Sequence, residues 1–322
     1  MPTWISMSSL LEQAELAVQS GRYAEACVAL ATCLSGDWSR DAEEATRWAY
    51  VALKVGDLTA ATELITPVVS GKSRDAYADS LYVHTLQALG LDGLASWELR
   101  RALRKWPDDI YLLRQRVSDL ERRGKRTQAE HLLERIEAAH PDDPANRLLA
   151  AGLYASDDWP RAKAALEGAI LDAPTEDYTW IAAACAARRG GSEGEFGDLL
   201  RRAEETVGAR PGILIQAAYR AREQSNWSVS LDFATRALAL CPRYDYGVLY
   251  RCRALFELGE REEALNELER HLEVVPLDGL CVRLHRSLCR RAGQRLRGAR
   301  VSMRYLFRST AELWRTNRRP HK

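Results

Sequence analysis

The chain has 322 residues, of which 46% are hydrophobic and 28% are charged. This composition is typical of a folded protein and argues against a disordered chain. No apolar run reaches the about 18 residues of a membrane-spanning helix, and the N-terminus lacks the basic start and apolar stretch of a secretory signal. The seven cysteines form no CxxC pair, which favours a reducing compartment over a disulfide framework. We therefore expect a cytoplasmic protein.

The net charge of +1 conceals an uneven distribution of charge along the chain. Residues 279–322 hold thirteen Lys and Arg residues and one acid, Glu312, whereas residues 1–278 hold 33 basic and 44 acidic residues. The sequence therefore describes an acidic body with a basic C-terminal end, and the partners of the two parts have to be considered separately.

Residues of the same type recur about every 34 positions along the chain. The first column is mostly glycine and consists of Gly21, Gly56, Gly90, Gly124, Asp157, Gly191, Ser225, Gly259 and Gly293. The second, five residues later, is mostly small and consists of Ala26, Ala61, Ala95, Ala129, Ala162, Phe196, Ser230, Ala264 and Gly298. Prolines recur in the same register at Pro107, Pro141, Pro174, Pro242 and Pro276. Three columns in one register predict nine tandem repeats.

Each repeat has the pattern of two helices. In the fourth unit an apolar stripe with helical spacing runs from Leu113 to Leu120, and Gly124 then interrupts the helix. A second stripe covers residues 129–136 and ends before Pro141. Small residues at the crossing allow paired helices to approach to about 8–10 Å. One such pair cannot bury both of its faces, so neighbouring pairs are expected to stack.

A 34-residue helix–turn–helix unit with small residues at positions 8, 20 and 27 and proline at position 32 resembles the tetratricopeptide repeat (TPR). The eighth unit carries this pattern at Cys252, Gly259, Ala264 and Pro276. The resemblance extends over about residues 7–308. It implies an all-α, right-handed superhelical solenoid of about nine TPR repeats, closed by a basic C-terminal capping helix.

Two segments depart from the regular repeat. The turn of the sixth unit is rich in glycine, so we expect a distorted or mobile joint near residues 190–210. Residues 309–322 form a basic C-terminal extension, which we expect to be partly disordered.

The resemblance implies that positions 2, 5, 9 and 12 of each first helix line a concave groove that binds peptides. These positions are rich in tyrosine and arginine, which is typical of interface hot spots. An alternative is that some tyrosines only pack between adjacent units. The predicted partner-binding residues are Tyr50, Tyr77, His84, Tyr111, Arg114, Arg147, Tyr154, Tyr178, Arg188, Tyr219, Arg222, Tyr246 and Arg253.

One subclass of TPR proteins is not favoured. TPR proteins that bind the C-terminal carboxylate of heat-shock chaperones resemble one another in having Lys at position 5 and Asn at position 9. That pair occurs in none of the units of this chain in which the two positions were compared.

Residues 294–314 predict an amphipathic helix. The simplest interpretation is a terminal cap whose apolar stripe, which includes Leu296, Ala299 and Met303, covers the last repeat. Alternatively, its arginine stripe contacts nucleic acid, an anionic membrane surface or an acidic protein surface, including that of a second copy. The arginines of this stripe are Arg297, Arg300, Arg304, Arg308 and, further along the helix, Arg315.

Residue types that carry chemistry form no convincing constellation. Cys281, His285 and Cys289 share one helix face, but the cysteines also belong to an apolar stripe, so we expect no metal. We also expect no cofactor and no catalytic residue. The predicted function is a non-catalytic scaffold or adaptor for an apolar partner segment with acidic flanks. The alternatives are association with nucleic acid or an anionic surface through the C-terminal helix, and a secretion or assembly chaperone.

Overall fold

The computed structural model describes residues 7–36, 41–71, 74–275 and 277–317, and the side chains as far as Arg308. Within these ranges the chain forms eighteen helices and no strand, which confirms the predicted all-α repeat architecture. The helices are α1 Met7–Gln19, α2 Tyr23–Ser35, α3 Ala42–Val55, α4 Leu58–Ser70, α5 Ala76–Ala88, α6 Asp92–Lys105, α7 Ile110–Arg122, α8 Arg126–Ala139, α9 Pro144–Tyr154, α10 Trp159–Asp172, α11 Asp177–Gly190, α12 Glu193–Val207, α13 Pro211–Glu223, α14 Trp227–Leu240, α15 Asp245–Glu257, α16 Arg261–Val274, α17 Gly279–Arg291 and α18 Arg295–Asn317.

Aspartate residues begin many of the first helices of the units. Each is an N-cap whose carboxylate accepts a hydrogen bond from a backbone N–H in the first turn, which compensates for the missing intrahelical partner. These caps are Asp41 of α3, Asp75 of α5, Asp109 of α7, Asp143 of α9 and Asp278 of α17.

The odd-numbered helices form the inner wall of a curved stack. Each contacts the next odd-numbered helix, from α1 with α3 to α15 with α17. Successive even-numbered helices make fewer contacts with one another. Helices on the inside of a bend lie closer together than those on the outside. The even-numbered helices therefore form the outer layer. The paired helices cross at the predicted small column, whose fully buried alanines are Ala26, Ala61, Ala95, Ala129, Ala162 and Ala264.

The sixth unit differs from the distorted joint that its glycine content suggested. Ser192 caps α12 and forms a capping box with Glu195, so the connection after α11 is short and well defined. A Cβ atom added to Gly190 would lie 1.5 Å from the carbonyl oxygen of Ala155. The glycine is therefore needed for the close approach of the neighbouring unit. Phe196 takes the place of the usual small residue and is buried.

The superhelix closes on itself, so that units one to three contact units six to nine. The Asp57 carboxylate lies 2.8 Å from the Arg243 guanidinium. The Thr59 hydroxyl donates to the carbonyl of Val274 at 3.2 Å, and the backbone N–H of Gly279 donates to the carbonyl of residue 89 at 2.9 Å. We call this contact the closing seam. It joins residues 21–27, 56–59 and 89–90 to residues 177, 210, 241–244, 274–275 and 277–283.

The closing seam also contains apolar and thiol contacts. Leu58, Leu89 and Val275 form a small buried cluster that joins the two superhelical turns. Cys27 and Cys241 are hydrogen-bonded to each other across the seam, and this bond lowers the pKa of the Cys27 thiol. The concave side of the stack is consequently an enclosed interior, whereas an open superhelix would present it as a groove.

No helix in the described ranges combines the length and apolar character needed to cross a bilayer.

Two glycines provide a matched test of the closing seam. Gly56 and Gly124 both follow a first helix with positive φ, +77° and +69°. A Cβ atom at Gly56 would lie 2.1 Å from the Tyr244 ring, whereas one at Gly124 would meet no atom within 4 Å. We expect Gly124→Ala to cost about 1–2 kcal/mol through backbone strain alone. We expect Gly56→Ala to cost roughly 1–3 kcal/mol more through overpacking at the seam.

The free energies follow from chemical denaturation, and small-angle scattering reports the radius of gyration. We expect the radius to increase for Gly56→Ala, because the seam opens, and to be unchanged for Gly124→Ala. Equal losses of stability and equal radii in the two variants would contradict the closed arrangement.

Candidate functional site

The inner wall carries tyrosines that keep part of their surface accessible. Tyr77, Tyr111, Tyr178 and Tyr246, all at position 2, are 41%, 52%, 52% and 38% exposed. They are therefore not enclosed between adjacent units. We define the inner surface as the set of side chains on odd-numbered helices that meet in this interior: Tyr50, Lys54, Tyr77, His84, Tyr111, Tyr178, Cys185, Arg188, Tyr219, Arg222, Tyr246, Tyr250 and Arg253.

Aromatic contacts link neighbouring units along the inner surface. The rings of Tyr77 and Tyr111 pack edge to face with their centroids 6.2 Å apart. Those of Tyr219 and Tyr250 do the same at 6.3 Å. Such pairs hold the rings in defined orientations, which reduces the entropy lost when a ligand contacts them.

The interior is narrow at the level of the second and sixth units. The Lys54 ammonium lies 5.5 Å from the ring centroid of Tyr50 and 5.8 Å from that of Tyr178. The two centroids are therefore no more than about 11 Å apart. An α-helix with its side chains is about 10–12 Å across, so it would not fit between these rings. An extended chain segment is thinner than a helix.

The narrow interior perturbs the titration of its side chains. Burial raises the pKa of both Tyr77 and Tyr246 to about 12. Burial, with a smaller contribution from the Lys54 charge, lowers the pKa of His84 to about 4. These rings are accessible to solvent, but protein surrounds them on several sides. The water that reaches them consequently solvates a charged form poorly.

The inner surface carries positive charge within an acidic body. The guanidinium groups of Arg188 and Arg222 lie 4.2 Å and 4.3 Å from the Tyr219 ring centroid, on which they stack. Among the described residues, Lys54, Arg188 and Arg253 have no carboxylate within ion-pair distance. The Nε atom of Arg253 is buried and has no hydrogen-bond partner. These three cations are available to an anionic ligand.

Three predicted partner-binding residues are engaged elsewhere in the structure. Tyr154 is buried in the core, where the Arg161 guanidinium lies 3.7 Å from its ring centroid. This position 12 side chain therefore points toward the outer helices. Arg147 pairs with Asp172 of its own unit. Tyr154 and Arg147 therefore satisfy a local packing or charge requirement and do not reach the interior.

Arg114 is the third of these residues. Its guanidinium donates to Asn146 at 2.9 Å and pairs with Asp143, so it joins the fourth unit to the fifth. Conversely, Lys54 and Tyr250 belong to the inner surface but were not predicted, and Cys185 lies at the expected position 9 but was not among the predicted binding residues. Lys54 lies one position after position 12 of its unit, and Tyr250 lies one position after position 5. A prediction that allowed the inner face to shift by one residue from unit to unit would have included both.

Comparison with known proteins gives a fold but no close relative. No family model and no curated protein matches the sequence. A crystal structure of a tetratricopeptide repeat protein from Parabacteroides merdae is similar, with a TM-score of 0.50 and 13% identity over 77% of this chain and 98% of that chain. The APC/C hetero-tetramer Cut9–Hcn1 is similar with a TM-score of 0.55 and 10% identity, over 93% of this chain and 60% of that chain. The chain is a TPR-type solenoid.

The last helix of the TPR solenoid packs with the face opposite to the one predicted. Arg297 points toward the body and pairs with Glu262 at 2.8 Å and Glu269 at 2.6 Å. Gly298 is buried against α17. It belongs to the small column, and only a small residue allows the close crossing of α17 and α18. The predicted apolar stripe is instead exposed, as shown by Leu296, Ala299, Met303, Leu306 and Phe307.

Three further arginines of α18 line a cavity of about 370 Å³. Arg300, Arg304 and Arg308 face the side chains of Glu269 and Glu273 across it. None of these three arginines forms an ion pair with a residue that the structure describes. The side chain of the fifth predicted arginine, at position 315, lies outside the described residues, as do residues 318–322.

The helix face of Cys281, His285 and Cys289 is divided between two neighbourhoods. The His285 Nε2 atom lies 3.0 Å from Glu269, which also binds Arg297, and the imidazole contacts the Cys289 sulfur. Cys281 instead lies next to Asp278 and the C-terminal end of α16. The predicted three-residue face therefore does not converge on one point.

The titration of His84 tests the enclosed interior. We expect its imidazole to titrate near pH 4, well below its usual value of 6.5. Between these values the unfolded chain binds the proton and the folded protein does not, so stability falls as the pH falls through this window. Histidine-resolved NMR measures the midpoint. We expect Lys54→Gln to move it upward, because a nearby cation is removed; a midpoint near 6.5 in the wild type would contradict the enclosure.

Proposed function

We propose that this TPR solenoid is a non-catalytic adaptor that holds an extended segment of a partner protein against its inner surface. The observation that carries the proposal is the convergence of exposed tyrosine rings and cations without carboxylate partners in a narrow interior. Each feature is unfavourable for the isolated protein, because aromatic surface remains in contact with water and charge remains poorly solvated. A ligand that covers both would remove these costs.

The chemistry of the inner surface defines the partner segment. Tyrosine provides a large contact area with few rotatable bonds, and its hydroxyl forms hydrogen bonds at the edge of that contact. Lys54, Arg188 and Arg253 would pair with carboxylates in surroundings where an ion pair is screened less than at the outer surface. The segment is therefore apolar with acidic residues, and it is extended because a helix exceeds the space between Tyr50 and Tyr178.

The similar structures support an interaction role at the level of the fold. One of them is a hetero-tetramer, in which a chain that shares this fold is part of a protein assembly. At sequence identities of 13% and 10%, these similarities support a shared architecture and not a shared partner. The choice of partner accordingly rests on the inner surface of this chain.

A triple variant on the inner surface tests the adaptor function. We expect Tyr178→Ala, Arg188→Ala and Tyr246→Ala together to weaken capture of the partner from native lysate by at least about 2 kcal/mol, roughly thirtyfold. The three side chains are exposed, so the helical circular-dichroism signal is expected to be retained.

The matched control replaces two apolar residues and one arginine on the outer layer. Val28 and Leu171 are 68% and 80% exposed, and Arg201 is exposed on α12. We expect Val28→Ala, Leu171→Ala and Arg201→Ala together to leave capture unchanged. Equal capture by the two triple variants would exclude the inner surface as the binding site.

A second candidate function is association with an anionic surface or nucleic acid through α18. It is favoured by the cavity in which Arg300, Arg304 and Arg308 have no ion-pair partner among the described residues. Three cations at spacings of four residues lie on one helix face and can contact successive phosphate groups. Their attraction to phosphate would act over longer distances at low salt.

A salt series measures the contribution of these arginines. If each neutralises one phosphate of a labelled DNA duplex, replacing all three by glutamine should reduce the slope of log affinity against log salt by about 2.7. The control is the triple glutamine variant of Arg100, Arg104 and Arg135, which are exposed on outer helices. Similar slopes for the two variants would show that binding follows overall charge, and no binding by the wild type would remove this candidate.

A further inference from the structure

A buried cluster of ionisable side chains joins the last two units, outside the inner surface. Asp245 is the first residue of α15, and His271 lies in the last turn of α16. Asp278 is the N-cap of α17, and Cys281 lies in the first turn of that helix. The side chains of Asp245, His271 and Asp278 are 5%, 8% and 1% exposed, and Cys281 is fully buried.

The potential ligand atoms of this cluster are close together. The His271 Nε2 atom lies 3.1 Å from Asp278 Oδ2 and 3.3 Å from Asp245 Oδ1. The His271 nitrogen, an Asp278 oxygen and the Cys281 sulfur all lie within 4.8 Å of one another. Ligand atoms around a tetrahedral zinc ion are about 3–4 Å apart, because each lies about 2.0–2.3 Å from the ion. The atoms of His271, Asp278 and Cys281 therefore need only a small contraction to enclose a cation, and Asp245 approaches this group from the side of the His271 nitrogen.

The charge of the cluster distinguishes it from the other buried carboxylates. Six acidic residues are buried in the described chain. Four of them lie within ion-pair distance of arginine, in the pairs Asp57–Arg243, Asp79–Arg74, Glu98–Arg101 and Asp119–Arg116. Asp245 and Asp278 share one imidazole and have no arginine or lysine partner among the described residues. These two buried carboxyl groups thus face at most one positive charge, that of a protonated His271.

The hydrogen bonds of Asp245 and Asp278 also leave carboxyl oxygens without a donor. Asp278 Oδ1 accepts from the backbone N–H groups of Leu280 and Cys281 as a helix cap. Asp278 Oδ2 and Asp245 Oδ1 both face the same His271 nitrogen, and the Cys281 thiol donates to Asp278, so Asp245 is the carboxyl group without a donor of its own. No hydrogen bond reaches either Asp245 oxygen, although Oδ1 faces the His271 nitrogen. An unsatisfied buried carboxylate is strongly unfavourable, so the arrangement as it stands is incomplete.

We propose that Asp245, His271, Asp278 and Cys281 form a binding site for a divalent cation of the zinc class. A thiolate and an imidazole favour zinc over magnesium and calcium, which prefer oxygen ligands alone. Asp278 ligates through Oδ2 and remains the cap of α17 through Oδ1. When the cation binds, the Cys281 thiol releases its proton to solvent, and His271 ligates through the Nε2 lone pair.

The bound cation would fasten the end of the solenoid. It would connect α15, α16 and α17, in addition to the ion pairs Arg251–Glu267, His285–Glu269 and Arg291–Glu257 that already link these helices. The segment between His271 and Asp278 carries Val275 and Leu277, which contact Leu58 and Leu89 at the closing seam. Metal binding therefore stabilises both the last units and the contact that encloses the interior.

Cobalt titration of the full-length protein tests the site. After treatment with a chelator, we expect the wild type to bind one Co²⁺ per chain and to develop a thiolate-to-cobalt charge-transfer band in the near ultraviolet. Zn²⁺ should displace the cobalt and raise the thermal unfolding midpoint. We expect Cys281→Ser to abolish the band. Cys289→Ser, an equally buried cysteine two turns further along α17, should retain it.

Asp245→Asn provides a second, independent measurement. Removing an unpartnered buried charge should leave the metal-free protein at least as stable as the wild type, so misfolding would not obscure the result. Its cobalt affinity should fall by at least the about 10–100-fold that is typical when a group supporting a metal ligand is lost. The proposal is overturned if the wild type binds no stoichiometric cobalt. It is also overturned if the band persists in Cys281→Ser, or if Asp245→Asn binds cobalt as tightly as the wild type.

Discussion

Contact between the two superhelical turns at the closing seam determines what the rest of the solenoid can do. An open TPR stack presents its concave side as a groove, but here Asp57, Thr59 and Leu89 meet residues more than 180 positions away. The closed path turns the concave side into a narrow interior. Burial in this interior raises the pKa of Tyr77, Tyr178 and Tyr246, which would be ordinary surface residues in an open stack.

The interior places positive charge inside a body that is acidic overall. Stacking of Arg188 and Arg222 on Tyr219 offsets part of the cost of desolvating these cations, because the ring face is electron-rich. The remaining cost favours an anionic ligand. In the proposed complex, tyrosine and arginine would act together, since the rings orient the cations and would provide the contact area that makes their pairing specific.

The cluster of Asp245, His271, Asp278 and Cys281 shows how the final units differ from the others. Other buried carboxylates in the solenoid are neutralised by arginines, such as Arg74 for Asp79. The cluster has only an imidazole for two carboxyl groups, and the proposed cation would complete its charge balance. A site of this kind would stabilise the packing of the ninth unit on the eighth, because its ligands come from α15, α16 and α17.

The sequence alone determined the helices, the nine units and the small column, because these depend on spacings of three to 34 residues within or between adjacent units. It also identified most tyrosines of the inner surface. Only the tertiary structure decided the closing seam, since that contact depends on small rotations accumulated over six units. It also decided the burial of Tyr154, the face on which α18 packs and the convergence of Asp245 with Cys281. Each of these features depends on which of several neighbouring surfaces packs best against the side chain or helix. The spacing of residues along the sequence does not contain that information.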